Sequence, residues 1–277
     1  MWIAQNKAAL KDYIRSPEQP IVLVPTMGAL HRGHTALIDR ARQKAGPKGL
    51  VLVSIFVNPI QFDRIADLEK YPRPIEADLA LCKKHGVDGV FQPQTSEMYS
   101  TDRSVSVAES SLSKYLCGAT RPGHFDGVCT VVVKLFNLTR CDAAVFGEKD
   151  FQQLSIINRM VRDLDLDVEI IAYPTIRELD GLALSSRNSR LPPLHRADAP
   201  CIFKALQSAS DRETPQQIIE NAKCMIDLSA NARIDYISLV EASTLAPATC
   251  LSVPTVLACA VFYGDVRLID HIDIAAR

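Results

Sequence analysis

Histidines at 31 and 34, a lysine at 149 and the run Ser185-Ser186-Arg187 are the residues of this chain best equipped to act on phosphate. His31 and His34 close the stretch MGALHRGH, which follows the apolar run IVLVPT. Three positions apart, they share a face wherever a helix starts there. The first turn of such a helix offers unpaired N–H groups and the positive end of a dipole, and both suit phosphate. Gly33 lets backbone come close to a ligand. Two imidazoles at this place can donate to phosphoryl oxygens and suit charge that develops during reaction. The same residues also read as an ordinary surface capping turn. A zinc site would need further ligands, and no Cys or Glu stands nearby at useful spacing. Gly28–Thr35 has the frame of a phosphate-binding P-loop, but His34 takes the place of its lysine, which argues against a kinase.

Other polar clusters punctuate the chain in the same way. FVNPIQF puts Asn58 and Gln61 after a second apolar run, where uncharged amides can hold hydroxyl or carboxylate oxygens. An Asn-Pro turn alone would also explain it. In FGEKDFQQ, Lys149 can face phosphate and Asp150 can accept from ribose hydroxyls, while Asp150 and Gln153 also match a capping box. LSSRN at 184–188 offers two hydroxyls and a guanidinium for a polyphosphate. RPGHFDGV flanks a Pro-Gly turn with Arg121 and His124, a candidate cover, and the helix after it carries Val131 and Val132 as an apolar wall.

The elements that must position these residues follow from periodicity. The apolar β-branched run at 21–26 and the apolar run at 50–57 read as buried strands, and 142–147 and DVEIIAYPTI as further strands, with VDGVFQP as a shorter one. SVSVAE at 104–109 alternates like an edge strand. Helical patterns cover about 33–45, the segment opened by Pro74, 127–140 despite its valines, and DFQQLSIINRMVRDL. This alternation predicts an α/β, Rossmann-like, doubly wound parallel sheet. Ligands of such a sheet bind at the carboxyl ends of its strands, where these clusters fall. After about residue 177 the texture changes. A linker-like NSRLPPLHR is followed by helices near 194–210 and 214–229 and strands in IDYISLVEA, TVLACAVFYG and VRLIDHIDI. The expected division is 1–177 for the ligand-binding domain and 178–277 for a smaller α+β domain covering the site.

Composition excludes several classes. The chain has 277 residues and a net charge of −1, so it lacks a bulk field for nucleic acid or an anionic membrane. No run reaches the roughly 18 apolar residues of a membrane span, and the start lacks a signal-peptide pattern. The eight cysteines form no C-x-x-C pair and several lie in apolar segments, as expected of reduced, buried thiols in a cytoplasmic protein.

VPTMGALHRGH, SIFVNPIQF, YPR, RPGHFDGV, FGEKDFQQL and DGLALSSRN occur in this order between residue 21 and about 190, and closely resemble the successive signatures of the pantothenate synthetase (pantoate–β-alanine ligase) family. GDVRLID near the end resembles it too. H-x-G-H by itself is similar to a signature that class I aminoacyl-tRNA synthetases and small nucleotidyltransferases share. The resemblance implies that ATP and pantoate give pantoyl adenylate and pyrophosphate, and that β-alanine then gives pantothenate and AMP. It implies that His31, His34 and Lys149 meet the ATP phosphates, with Ser185, Ser186 and Arg187 opposite. Gly147 and Asp150 would hold ribose, and backbone near Ile176 would meet adenine, with Met27, Gly33 and Leu184 also lining the nucleotide site. Gln61, Gln153 and Asn58 would grip pantoate between walls of Met27, Phe62, Val131 and Val132. Asp78 and Gln153 would help position Mg²⁺, and the assembly would be a homodimer. Leu184 departs from the methionine of many members, a near-isosteric change, and FDRIADLEKYPR lacks glycines that some carry. The rival readings are a nucleotidyltransferase of the same superfamily with another small acceptor, which would need extra basic residues for a phosphorylated one, and a non-enzymatic nucleotide sensor. A tRNA ligase would need more chain and a basic surface.

Overall fold

The computed structural model describes residues 1–14 and 19–277. The chain opens with β1 (Trp2–Ala4), α1 (Lys7–Tyr13), β2 (Ile21–Thr26), α2 (Arg32–Ala45) and β3 (Leu50–Ile55). A 3₁₀ turn (Pro59–Gln61) leads to α3 (Ile65–Glu69), α4 (Ile75–Lys84), β4 (Gly89–Phe91) and α5 (Thr95–Met98). Then come α6 (Leu116–Thr120), α7 (His124–Thr139), β5 (Ala143–Gly147), α8 (Phe151–Asp163) and β6 (Glu169–Tyr173). The remainder holds α9 (Pro193–Asp198), α10 (Cys201–Ala209), α11 (Pro215–Asp227), β7 (Ala232–Glu241), β8 (Thr255–Tyr263) and β9 (Val266–Ile274).

β1 to β6 form one sheet in the order β1-β4-β3-β2-β5-β6, and every pairing is parallel. Alternate residues explain why it is covered on both faces. Val22, Val24, Val51, Val53, Ala143 and Val145 pack with Ile38 and Ala41 of α2 and Cys82 of α4. Leu23, Leu52 and Ala144 point the other way and are equally buried, and α7 packs on β2. The strand order reverses between β2 and β5, the place where open α/β sheets bind ligands. The chain divides into two compact units. The first contains this sheet; the second comprises 110–121, 149–155 and 175–277. In the second, β7, β8 and β9 form an antiparallel sheet whose apolar face is covered by α10 and α11 through Ile202, Leu206, Ile218, Ala222 and Ile226.

The expected α/β sheet and smaller α+β part are both present. Two local expectations are corrected. Among the described residues SVSVAE pairs with no strand: Val107 N–H donates to Thr130 Oγ1 at 3.0 Å and Glu109 N–H to Asp126 Oδ1 at 3.3 Å, so α7 side chains take the place of a neighbouring strand. The supposed linker is ordered, with a 3₁₀ turn at Ser186–Arg190 and α9 starting at Pro193. All eight cysteines are free thiols, and Cys82, Cys117, Cys129, Cys141 and Cys259 are buried. Among the described residues no helix is long and apolar enough to cross a membrane.

Candidate active site

In the sheet unit, the turn after β2 carries Met27 to His31 to the first turn of α2. Gly28 and Ala29 both take positive φ, at 81° and 50°, which swings the chain sharply off the strand. Asp78 on α4 holds this turn. Its Oδ2 accepts from Ala29 N–H at 2.8 Å and its Oδ1 from Leu30 N–H at 2.7 Å. Burial raises the Asp78 carboxyl above its ordinary value, against the two N–H bonds that pull it down.

His31 is the N-cap of α2, and His34 completes a reciprocal capping box. Gly33 N–H donates to His31 Nδ1 at 3.2 Å, and His31 N–H donates to His34 Nδ1 at 3.3 Å. The rings lie 4.0 Å apart between centroids. An Nδ1 that accepts carries no proton. The cap thus engages Nδ1 of both rings and puts the proton of each neutral imidazole on Nε2.

Beyond β3, the 3₁₀ turn presents Gln61. Asn58, expected to meet substrate oxygens directly, is 1% exposed and commits its amide to the protein. Its Nδ2 donates to Gln61 Oε1 at 2.8 Å and to Gly127 O at 3.1 Å, and Tyr99 Oη–H donates to its Oδ1 at 2.8 Å. Gln61 Nε2 in turn donates to Met27 Sδ at 3.3 Å, beside the histidine turn. Gly127 lies in α7 directly against this 3₁₀ turn; a Cβ there would stand 2.6 Å from Ile60 O. Val131 and Val132 are buried further along α7, and Phe62 is half-buried with its ring edge-on to Tyr71. His124 is no cover: it starts α7, is buried, and its Nδ1 lies 2.7 Å from Gln61 O. Gly147 ends β5 at the place of strand reversal, half-buried and with open space where a Cβ would stand.

In the second unit, Lys149 and Asp150 belong to a 3₁₀ turn, with Lys149 Nζ 4.0 Å from Asp150 Oδ2. Adjacent residues of α8 diverge: Gln152 is buried and its Nε2 donates to Leu112 O and Tyr115 O, while Gln153 is half-buried. The DGLALSSRN segment is a tight hairpin. Glu178 N–H donates to Leu182 O at 2.8 Å, Leu184 N–H to Ile176 O at 2.9 Å, and Gly181 turns at φ 96°. Ser185 caps the following 3₁₀ turn through a 3.2 Å bond from Arg187 N–H, and Ser186 and Arg187 are half-buried. Lys149 and Ser185 line one small cavity together with Ala183 and Asp270. Arg177 anchors the hairpin. Its guanidinium donates to both oxygens of buried Asp270, at 2.5 and 2.9 Å, donates to Gly181 O at 3.1 Å, and stacks 3.6 Å from the Phe203 ring centre.

Sequence reasoning missed Tyr99, Gly127, Arg177 and Asp270. None lies in a strand-end motif with its partner, so local spacing carries no signal of them. Among the described residues no three His, Cys, Asp or Glu side chains converge as a metal cage.

Comparison with known proteins bears on the family and the fold. The family model described as pantoate-beta-alanine ligase matches residues 2–273. A pantothenate synthetase of Akkermansia muciniphila is 50% identical over 275 residues, covering 98% of both chains. One from Ruminiclostridium cellulolyticum is 46% identical, covering 97% of this chain and 96% of its own. The crystal structure of a pantothenate synthetase from Thermus thermophilus superposes with a TM-score of 0.92 at 39% identity, covering 99% of this chain and 100% of that one. A pantoate-beta-alanine ligase from Francisella tularensis, solved with β-γ ATP and β-alanine, matches with a TM-score of 0.83 at 32% identity, covering 98% and 97% of the two chains.

Proposed function

The chain belongs to the pantoate–β-alanine ligase family, and on that premise we propose that it joins pantoate to β-alanine through a bound pantoyl adenylate. The pantoate carboxylate attacks the α-phosphorus of ATP, and the bond to the bridging oxygen of pyrophosphate breaks. β-Alanine's amine then attacks the activated carbonyl carbon, and AMP leaves.

Two anions must first approach each other, so the leaving group's growing charge needs fixed donors. The observation that carries the reading is the reciprocal cap of His31 and His34, which assigns a Nε2–H donor to each ring. Preorganised donors of this kind stabilise charge on the departing oxygen without moving. Lys149 joins them, with Ser185, Ser186 and Arg187 on the other side of the triphosphate. Gly147 and Asp150 hold ribose. Backbone near Ile176, with Leu184, meets adenine. Met27 and Gly33 lie at the nucleotide's edge of the histidine turn. Gln61 and Gln153 hold pantoate's oxygens, while Met27, Phe62, Val131 and Val132 pack its methyl-bearing carbon. Asn58 serves this pocket through Gln61. Holding the amine beside an activated acyl carbon suffices for the second step.

Mg²⁺ fits this donor set only as an ion carried on phosphate oxygens. Asp78 already accepts one N–H on each oxygen, leaving its other lone pairs, and Gln153 adds a neutral oxygen. Bound there, the ion would offset triphosphate charge. The working assembly is taken as a homodimer in the cytoplasm, where free thiols persist. Exchange of labelled pyrophosphate into ATP tests the scheme. It should require pantoate and proceed without β-alanine; exchange that needs β-alanine would overturn it.

A further inference from the structure

Gln61 can donate to a substrate carboxylate oxygen only if its NH₂ end, not its carbonyl end, faces that oxygen. Both ends of an amide have the same shape, so something must set its sense. The surrounding bonds do so by elimination. Gly127 O can only accept, so the Asn58 atom against it is Nδ2. The other end of Asn58 is then Oδ1, which receives the Tyr99 hydroxyl at 2.8 Å. The second hydrogen of Nδ2 needs an acceptor, so the Gln61 atom 2.8 Å away is Oε1. Gln61 Nε2 is left turned toward Met27.

Asn58 and Tyr99 are both buried, so a lost partner here is not replaced by bulk water. Burial also pushes the Tyr99 phenol up to about 12, which keeps it a donor throughout the neutral range. We propose that Tyr99 is a positioning residue: acting through Asn58, it fixes the sense and place of the Gln61 amide and so sets the affinity for the small hydroxy acid. It touches no substrate itself. The proposal rests on Gln61 holding pantoate.

The test measures pantoate dissociation constants by calorimetry in the presence of a non-hydrolysable ATP analogue, for the native protein, Tyr99→Phe, Gln61→Ala and the double variant. Tyr99→Phe should weaken pantoate by about five- to tenfold, the worth of one buried hydrogen bond, and leave the ATP analogue's affinity unchanged. In the Gln61→Ala background the same substitution should change nothing further, because its route to the substrate is gone. Unchanged pantoate affinity in Tyr99→Phe, or an equal loss with and without Gln61, would overturn the relay. If Gln61→Ala itself leaves pantoate affinity intact, it is the assignment of Gln61 that fails, and the relay falls with it. Should Tyr99→Phe not fold, Asn58→Ala breaks the same chain of bonds one link nearer, and the same comparisons decide.

Discussion

Replacing His34 by asparagine separates the two jobs that one imidazole performs. Nδ1 of histidine and Oδ1 of asparagine are both bonded to Cγ, so the asparagine can still accept the His31 N–H that His34 accepts at 3.3 Å. It has nothing at the place of Nε2. Glutamine is the complement: its amide reaches the Nε2 position, but no polar atom stands at the δ position. Loss of one capping bond costs about 1 kcal/mol, or about 2–4 °C in Tm for a chain of this order of size. Loss of one preorganised donor costs about 10²–10³ in rate. His34→Asn should therefore melt close to the native protein and lose about 10²–10³ of its pantoate-dependent pyrophosphate exchange. His34→Gln should melt about 2–4 °C lower and retain more exchange than the asparagine variant. Thermal melts and exchange on the same preparations decide the matter. Near-native exchange in His34→Asn would refute the assignment of Nε2 as the working donor.

Other perturbations have equally definite outcomes. Gly127→Ala drives a Cβ to within 2.6–2.8 Å of backbone atoms of Ile60 and Gln61; it should cost about 1–3 kcal/mol, read by denaturant titration, and weaken pantoate more than ATP. Asp270→Asn leaves Arg177 without its buried counter-charge and should cost about 3 kcal/mol; because Arg177 anchors the hairpin before Ser185, the KM for ATP should rise more than that for pantoate in steady-state assays. Burial, helped by Arg177, lowers the pKa of His271 below its ordinary 6.5, against Asp270, Asp273 and Asp150, which raise it. The unfolded chain then binds the extra proton first, so this contribution to stability is present above about pH 6.5 and is lost as pH falls below it. His271→Phe should flatten that part of the Tm–pH curve, and an unaltered slope would contradict the burial argument.

Why some of this was legible in the sequence and some was not follows from the range of each interaction. The strands at 21–26 and 50–57 are buried on both faces and read as plain apolar runs. The 127–140 helix was readable despite its valines because length outweighs propensity there; the structure extends it back to His124. SVSVAE misled because alternation reports two different sides, and here one side is a helix, not a strand. β1 and α1, of three and seven residues, were not among the expected elements. The histidine turn was visible because its bonds span two or three residues. Asn58's network was not legible because its partners Tyr99 and Gly127 are 41 and 69 residues away, a distance at which a single sequence carries no pairing signal. The same holds for Arg177 and Asp270, 93 residues apart.

The central claim is that pantoate's carboxylate oxygen attacks phosphorus, and the fate of that oxygen tests it most directly. With pantoate labelled with ¹⁸O in its carboxylate, one turnover with ATP and β-alanine should place one labelled oxygen in the phosphate of AMP, detected by mass spectrometry. Label in pyrophosphate, or none in AMP, would contradict the account.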